Sequence, residues 1–312
     1  MNDFRSKFET LMRNASLPLP ALANKVRARW WDWVLQRALS GKQAALYAEA
    51  RQAGSLKRGW REILAKNNRF DGVHAGQRAF IIGNGSSLKD QQIDVLRDEI
   101  TFVVSGFWKH PDASIVKPKY YVFADPLFFD GERAAEVFFE NLRQVIHHST
   151  YFIPFTARAA VEKMHLLPES QVSYIAMGRH MKTLRITGPD PTKIMPHVST
   201  VIQLAILMAL YMGIEEIYLL GLDHDWLAHR EEDRHFYEGQ TLPGHSKVVS
   251  ALSGWPYKRL MEDQLKLWND YEVLKEVALK AGCRIWNSTR GGFLDVFDRI
   301  AYEEVLTGKR RE

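Results

Sequence analysis

A single cysteine, Cys283, stands in the 312 residues. That excludes an internal disulfide and fits a reducing compartment. No apolar run approaches the roughly 20 residues needed to cross a bilayer. The opening Met-Asn-Asp-Phe-Arg-Ser-Lys lacks the apolar stretch of a signal peptide. The expectation is a cytoplasmic protein, soluble or peripheral at the inner membrane face. Internal repeats and low-complexity tracts are also missing, which sets aside solenoids and disordered linkers.

What is present is an ordinary globular composition, 46% apolar and 25% charged. The length allows one large domain or two small ones. The net charge of +5 hides an asymmetry, because residues 1–70 hold 14 Lys/Arg against 5 Asp/Glu and the rest is net acidic. Residues 1–75 read as a basic helical extension, with helices over 21–39, 42–53 and 56–67. Trp30, Trp31 and Trp33 among Lys25, Arg27, Arg29 and Arg37 fit an anionic membrane surface for residues 1–70, or the packing of this layer onto the main body. No base-reading motif accompanies the charge, so nucleic acid is not an expected partner.

From Arg78 the pattern alternates. Short apolar runs at 78–82, 100–105, 120–124, 150–154, 172–176, 215–220 and 284–286 read as strands. Helices are expected over 91–99, 132–145, 201–212 and 259–280. This order predicts an α/β fold with a mainly parallel sheet. The 201–212 helix is apolar almost all round and should be buried. Ser199 or Thr200 is its expected N-cap, and Gly213 its left-handed end. The polar segment 227–257 is long enough to serve as a lid or binding loop.

Ligands in such sheets bind beyond the carboxyl ends of the strands. Four groups of residues fall there. Gly83-Asn84-Gly85-Ser86-Ser87 follows the first strand, and glycines let a backbone approach phosphate; the spacing matches neither the dinucleotide fingerprint nor a P-loop. Asp223-His224-Asp225 follows the strand at 215–220, and Asp223 and Asp225 could hold magnesium or manganese, or Asp223 could cap its turn. In the long segment, His245 titrates near neutrality and could act as a base, with Tyr237, Gly244, Ser246 and Lys247 beside it. Asn287, Thr289 and Arg290 follow the last strand, where an arginine suits phosphate or carboxylate.

Ile-Ile-Gly-Asn-Gly-Ser-Ser-Leu-Lys (81–89), Val-Phe-Ala-Asp-Pro-Leu-Phe-Phe (122–129), the stretch 199–223 and Gly-His-Ser-Lys (244–247) together resemble a known set. They are similar, in the same order, to motifs of the bacterial sialyltransferases of glycosyltransferase family 42. The first also resembles that of the 6-hydroxymethylpterin pyrophosphokinase-like domains (MptE-like, DUF115), which include flagellin glycosylation proteins. The resemblance covers about 78–300. It implies a Rossmann-like, GT-A-variant domain over 76–312 that binds a nucleotide-activated donor. Asn84 and Asp125 would contact the donor, Ser199 its carboxylate or phosphate, and His245 would activate an acceptor hydroxyl. Ser86 stands for the motif's proline, Ser105 for a donor-binding asparagine, and Asp225 for a tyrosine that helps the departing phosphate.

Two activities follow as expectations. One is glycosyl transfer, from a CMP-nonulosonic acid in the form the resemblance implies, onto a glycan, lipid-linked glycan or protein in cell-surface assembly. The other is magnesium-dependent diphosphoryl transfer from ATP to a pterin-like alcohol. A homo-oligomer is compatible with either.

Overall fold

The computed structural model describes residues 59–129, 132–229, 235–237 and 256–308. The chain divides into two compact units, Met1–Tyr47 and Ala48–Glu312, and all the described residues belong to the second. The helices expected before residue 56, and His245 with its neighbours, lie outside the described residues.

Ten strands are described: β1 (Arg78–Ile82), β2 (Ile100–Val104), β3 (Tyr120–Val122), β4 (Thr150–Pro154), β5 (Val172–Ile175), β6 (Met177–Arg179), β7 (Met195–Pro196), β8 (Glu216–Leu220), β9 (Arg284–Asn287) and β10 (Asp298–Arg299). Eight of them form one sheet in the order β10-β9-β8-β1-β2-β3-β4-β5, and β6 pairs with β7. Every ladder is parallel. The described helices are α1 (Trp60–Ala65), α2 (Ala113–Val116), α3 (Glu132–Val145), α4 (Arg158–Lys163), α5 (Leu184–Thr187), α6 (Val201–Tyr211), α7 (Tyr257–Lys280) and α8 (Tyr302–Thr307). None is long and apolar enough to cross a membrane.

The sheet is covered on both faces, as its unbroken apolar strands require. Ala79, Ile81, Phe102, Val122 and Leu219 face α6 and α7 in one cluster. Phe80, Ile82, Val103, Tyr121 and Leu220 face the other way, against Phe138, Phe139 and Leu142 of α3 and Tyr302 of α8. Helix α6 is buried from Ile202 to Leu210, which is why it could be apolar all round. Residues 60–75 of the expected extension pack on this body, one of the two alternatives for that layer: Phe70 joins the core, and the Asn67 amide donates to Tyr174 O and Pro191 O.

Strand order fixes where a ligand can sit. Running from β1, connections go one way to β5 and the other way to β10, so the reversal falls between β1 and β8. In open α/β sheets that reversal opens a crevice at the carboxyl ends. The turn after β1 and the Asp223 segment after β8 meet there.

Several expectations are corrected. The helix expected over 91–99 is a single 3-10 turn, Asp94–Leu96. Only Ile93 and Leu96 of that stretch anchor to the core, which is too little for two helical turns. The third strand stops at Val122, and α1 is shorter than the 56–67 run. The short strands β6, β7 and β10 had no expected counterpart.

Candidate functional site

Gly83 to Ser87 is built around the tip of β8. The Gly83 N–H donates to Leu220 O at 2.7 Å and the Gly85 N–H to Gly221 O at 2.9 Å. A Cβ on Gly83 would lie 2.4 Å from Gly221 O, and one on Gly85 2.6 Å from the Asp223 carboxyl carbon. The two glycines are therefore accounted for by close approach of β8, not by a phosphate.

Asp223 holds the same turn. Its Oδ2 accepts from Ser86 Oγ at 3.2 Å and from the Ser87 N–H at 3.0 Å, and its Oδ1 accepts from Ser87 Oγ. Three of a carboxylate's roughly four acceptor positions are thus committed to the turn. Behind it, the Phe293 N–H donates to Asp223 O at 2.8 Å. Asp225 is buried, with His229 Nε2 at 3.8 Å from its Oδ2. Among the described residues no group of three or more His, Cys, Asp or Glu side chains is placed to hold a metal ion. Asp223 fits the turn-capping role better than that of a metal ligand.

Asn84 differs from its neighbours. The residue is 9% exposed, and its Nδ2 donates to Val104 O at 3.2 Å. Its Oδ1 is buried with no hydrogen-bond partner among the described residues. A buried acceptor left unpaired costs about 1–3 kcal/mol, so it marks a place where something else is expected to donate.

Residues 235–237 of the long segment dock on this turn. His235 bridges Gly85, and the Phe236 N–H donates to Asn84 O at 3.0 Å. The Phe236 ring meets His110 edge-on at 5.0 Å. Tyr237 is buried and stacks on His235 at 4.9 Å. Ser105, just past β2, takes φ +46, and its carbonyl accepts from the Tyr121 hydroxyl at 2.8 Å. Asp125 lies exposed beyond β3.

His224 also has a strained backbone, at φ +48. Of the four described non-glycine residues with positive φ, Ser105 and His224 fall at the carboxyl ends of β2 and β8, where stored strain points to a site. The His224 ring is surrounded by Trp226, Trp268 and Tyr271, at 5.0, 5.9 and 5.5 Å. Its Nε2 bonds the Tyr271 hydroxyl at 2.8 Å. Burial pushes its pKa down to about 4, against a smaller opposing pull from Asp225. The imidazole is therefore neutral in the fold but protonated in the unfolded chain below its ordinary value of 6.5. Between those two values only the unfolded state binds the proton, so stability is full above about pH 6.5 and falls as pH drops toward 4. Urea melts at about pH 7.5 and about pH 5 should show a loss of roughly 2 kcal/mol from this residue. That part should vanish in His224→Asn, because asparagine accepts a left-handed backbone.

The cap at α6 is not made as expected. Thr200 has N-cap backbone angles, yet its side chain makes no capping bond. The Ser199 N–H donates instead to Gln203 Oε1 at 2.7 Å. Ser199 Oγ donates to Asp270 Oδ2 at 2.8 Å and accepts from Lys266 Nζ. Asp270 and Tyr271 are neighbours on α7, so one turn of that helix anchors both Ser199 and His224. Asn287 and Thr289 are internal. The Asn287 amide donates to Leu294 O at 2.8 Å and accepts from the Thr289 N–H at 3.0 Å. Thr289 Oγ1 accepts from the Leu222 N–H at 3.0 Å. Asn287 ties the loop beyond β9 to itself, Thr289 stitches that loop to the tip of β8, and Arg290 beside them is exposed.

The structure thus brings Gly83–Ser87, Ser105, Asp223 and Tyr237 around one spot, with His224 and Ser199 linked to it through α7. Lys109 was missed by the sequence reading. Its Nζ stands 5.5 Å from the Tyr237 ring and 5.6 Å from that of Trp108. The available signal was a cation five residues past the end of β2.

No family model matches the chain, and no curated protein does. One solved structure that matches is described as the sialyltransferase CstII from Campylobacter jejuni in complex with a substrate analogue, CMP-3FNeuAc. The identity is 14%, over 72% of this chain and 86% of that chain, with a TM-score of 0.42. At that score the likeness carries no weight for function.

Proposed function

We propose that the protein is a glycosyltransferase that takes a sugar from a nucleotide-activated donor, a CMP-nonulosonic acid in the form the motifs favour, and delivers it to a hydroxyl acceptor. The observation that carries the reading is Asn84, a buried amide at the reversal point of a parallel sheet whose Oδ1 has no hydrogen-bond partner among the described residues. That position suits a donor group on the base or ribose of a nucleotide. Residues 235–237, docked on Asn84 and Gly85, are suited to exclude water from it. Diphosphoryl transfer is less well supported, because it relies on Asp223 and Asp225 as an open magnesium pair and Asp223 is engaged by Ser86 and Ser87.

His245 is assigned the base on the strength of its motif alone. A histidine taking the acceptor's proton contributes about 10² to 10⁴ in rate. His245→Ala should therefore slow transfer by at least about a hundredfold while CMP still raises the melting temperature. The first measurement is a thermal-shift panel of CMP-, CDP-, UDP- and GDP-sugars and ATP, with and without magnesium. Turnover of the responding donor is then compared with and without the histidine. Equal rates remove His245 from the mechanism, and a response to ATP alone replaces glycosyl transfer with the diphosphoryl reading.

A further inference from the structure

We propose that Lys109 is the cation that receives the donor's phosphate as the sugar departs. This rests on the donor-binding reading above and adds a residue to it.

The carboxyl end of the sheet carries several carboxylates, of which Asp223 is held by Ser86 and Ser87 and Asp225 faces His229. Asp223 and Asp225 are both buried at the tip of β8, and Asp125 stands beyond β3. A phosphate brought there meets like charge, which raises its energy unless a cation is close.

Lys109 is placed to answer it. Its 3-10 turn, Phe107–Lys109, leaves β2 just after Val104, whose carbonyl the Asn84 amide holds. Its ammonium lies between two aromatic rings, one of them on the docked 235–237 segment. The turn is fixed by the Lys109 N–H donating to Gly106 O at 3.0 Å and the Trp108 N–H donating to the Tyr121 hydroxyl at 3.0 Å. Partial burial lowers its pKa.

In the transfer step the bond between the anomeric carbon and the phosphate oxygen breaks, and its electron pair stays on that oxygen. The acceptor oxygen bonds to the same carbon, and its proton passes to the base. The nucleoside phosphate leaves with one more negative charge than it had in the donor. Lys109 stays protonated throughout and neutralises that charge by ion pairing.

The test compares CMP with cytidine, which differ by the phosphate, on the full-length protein. The unaltered protein should bind CMP more tightly. Lys109→Met should lose about tenfold to a hundredfold in CMP affinity, the range of a hydrogen bond to a charged group, and keep its cytidine affinity. Lys109→Arg should recover most of the loss. Should Lys109→Met fail to fold, Lys109→Gln keeps the stem between the rings and carries the same comparison. Equal CMP affinity in the unaltered and neutral variants overturns the role of Lys109 and leaves the donor reading standing. If the unaltered protein binds none of the nucleotides in the panel, the donor reading falls and Lys109 with it.

Discussion

Gly85→Ala is expected to cost on the order of 3 kcal/mol and to lower the melting temperature by about 5–10 °C. The new methyl group would lie 2.6 Å from both Cγ and Oδ2 of Asp223 and 2.7 Å from Gly221 O. The carboxylate could swing away only by releasing Ser86 and Ser87. The carbonyl could not move without parting β1 from β8, whose ladder ends at Ile82 and Leu220. Relief therefore sacrifices either the turn or the strand tip, and donor binding should fail along with stability. Gly59→Ala is the control, since a Cβ there meets nothing within 4 Å and its φ of −98 suits any residue. It should change the melting temperature by no more than about 1–2 °C. If both variants melt alike, the close contact of the turn with the β8 tip is wrong.

That contact separates what the amino-acid order reveals from what it hides. Arg78–Ile82, Thr150–Pro154 and Glu132–Val145 take the bounds expected of them. A strand covered on both faces must be apolar throughout, and a helix on the surface must repeat its apolar residues, as Ala135, Phe138, Phe139 and Leu142 do. Such patterns are local. The bonds that decide what each site residue does are not. Ser87 finds Asp223 136 positions away, and Ser199 finds Asp270 71 positions away. Spacing could place Ser199 at a helix start, but not foresee that Asp270 and Lys266 would take its hydroxyl. It could place Asp223 beyond a strand, with capping and metal binding both open. Two serines across the reversal point tip the choice toward capping. Asn84 was legible as part of a motif, whereas its unsatisfied oxygen needed the packing of Val104 and Phe236 around it.

Asn84→Ala should separate folding from function. The substitution loses the hydrogen bond to Val104 O, worth about 0.5–1.5 kcal/mol. It also removes a buried acceptor that the described residues leave unpaired, which offsets much of that loss. Stability should therefore change by less than about 1 kcal/mol. Donor binding should weaken by about tenfold to a hundredfold, because the nucleotide group facing Oδ1 would then be the one left without a partner. Groups that a fold could satisfy and does not are retained where activity needs them. Thr101→Val supplies the contrast. Thr101 Oγ1 is also buried with no partner among the described residues, but Thr101 lies inside β2, paired with Phe80, away from the carboxyl end. Its isosteric replacement should leave donor binding untouched and stability equal or better. If Asn84→Ala instead proves clearly stabilised with donor affinity intact, its oxygen is a packing fault and the pocket must lie elsewhere.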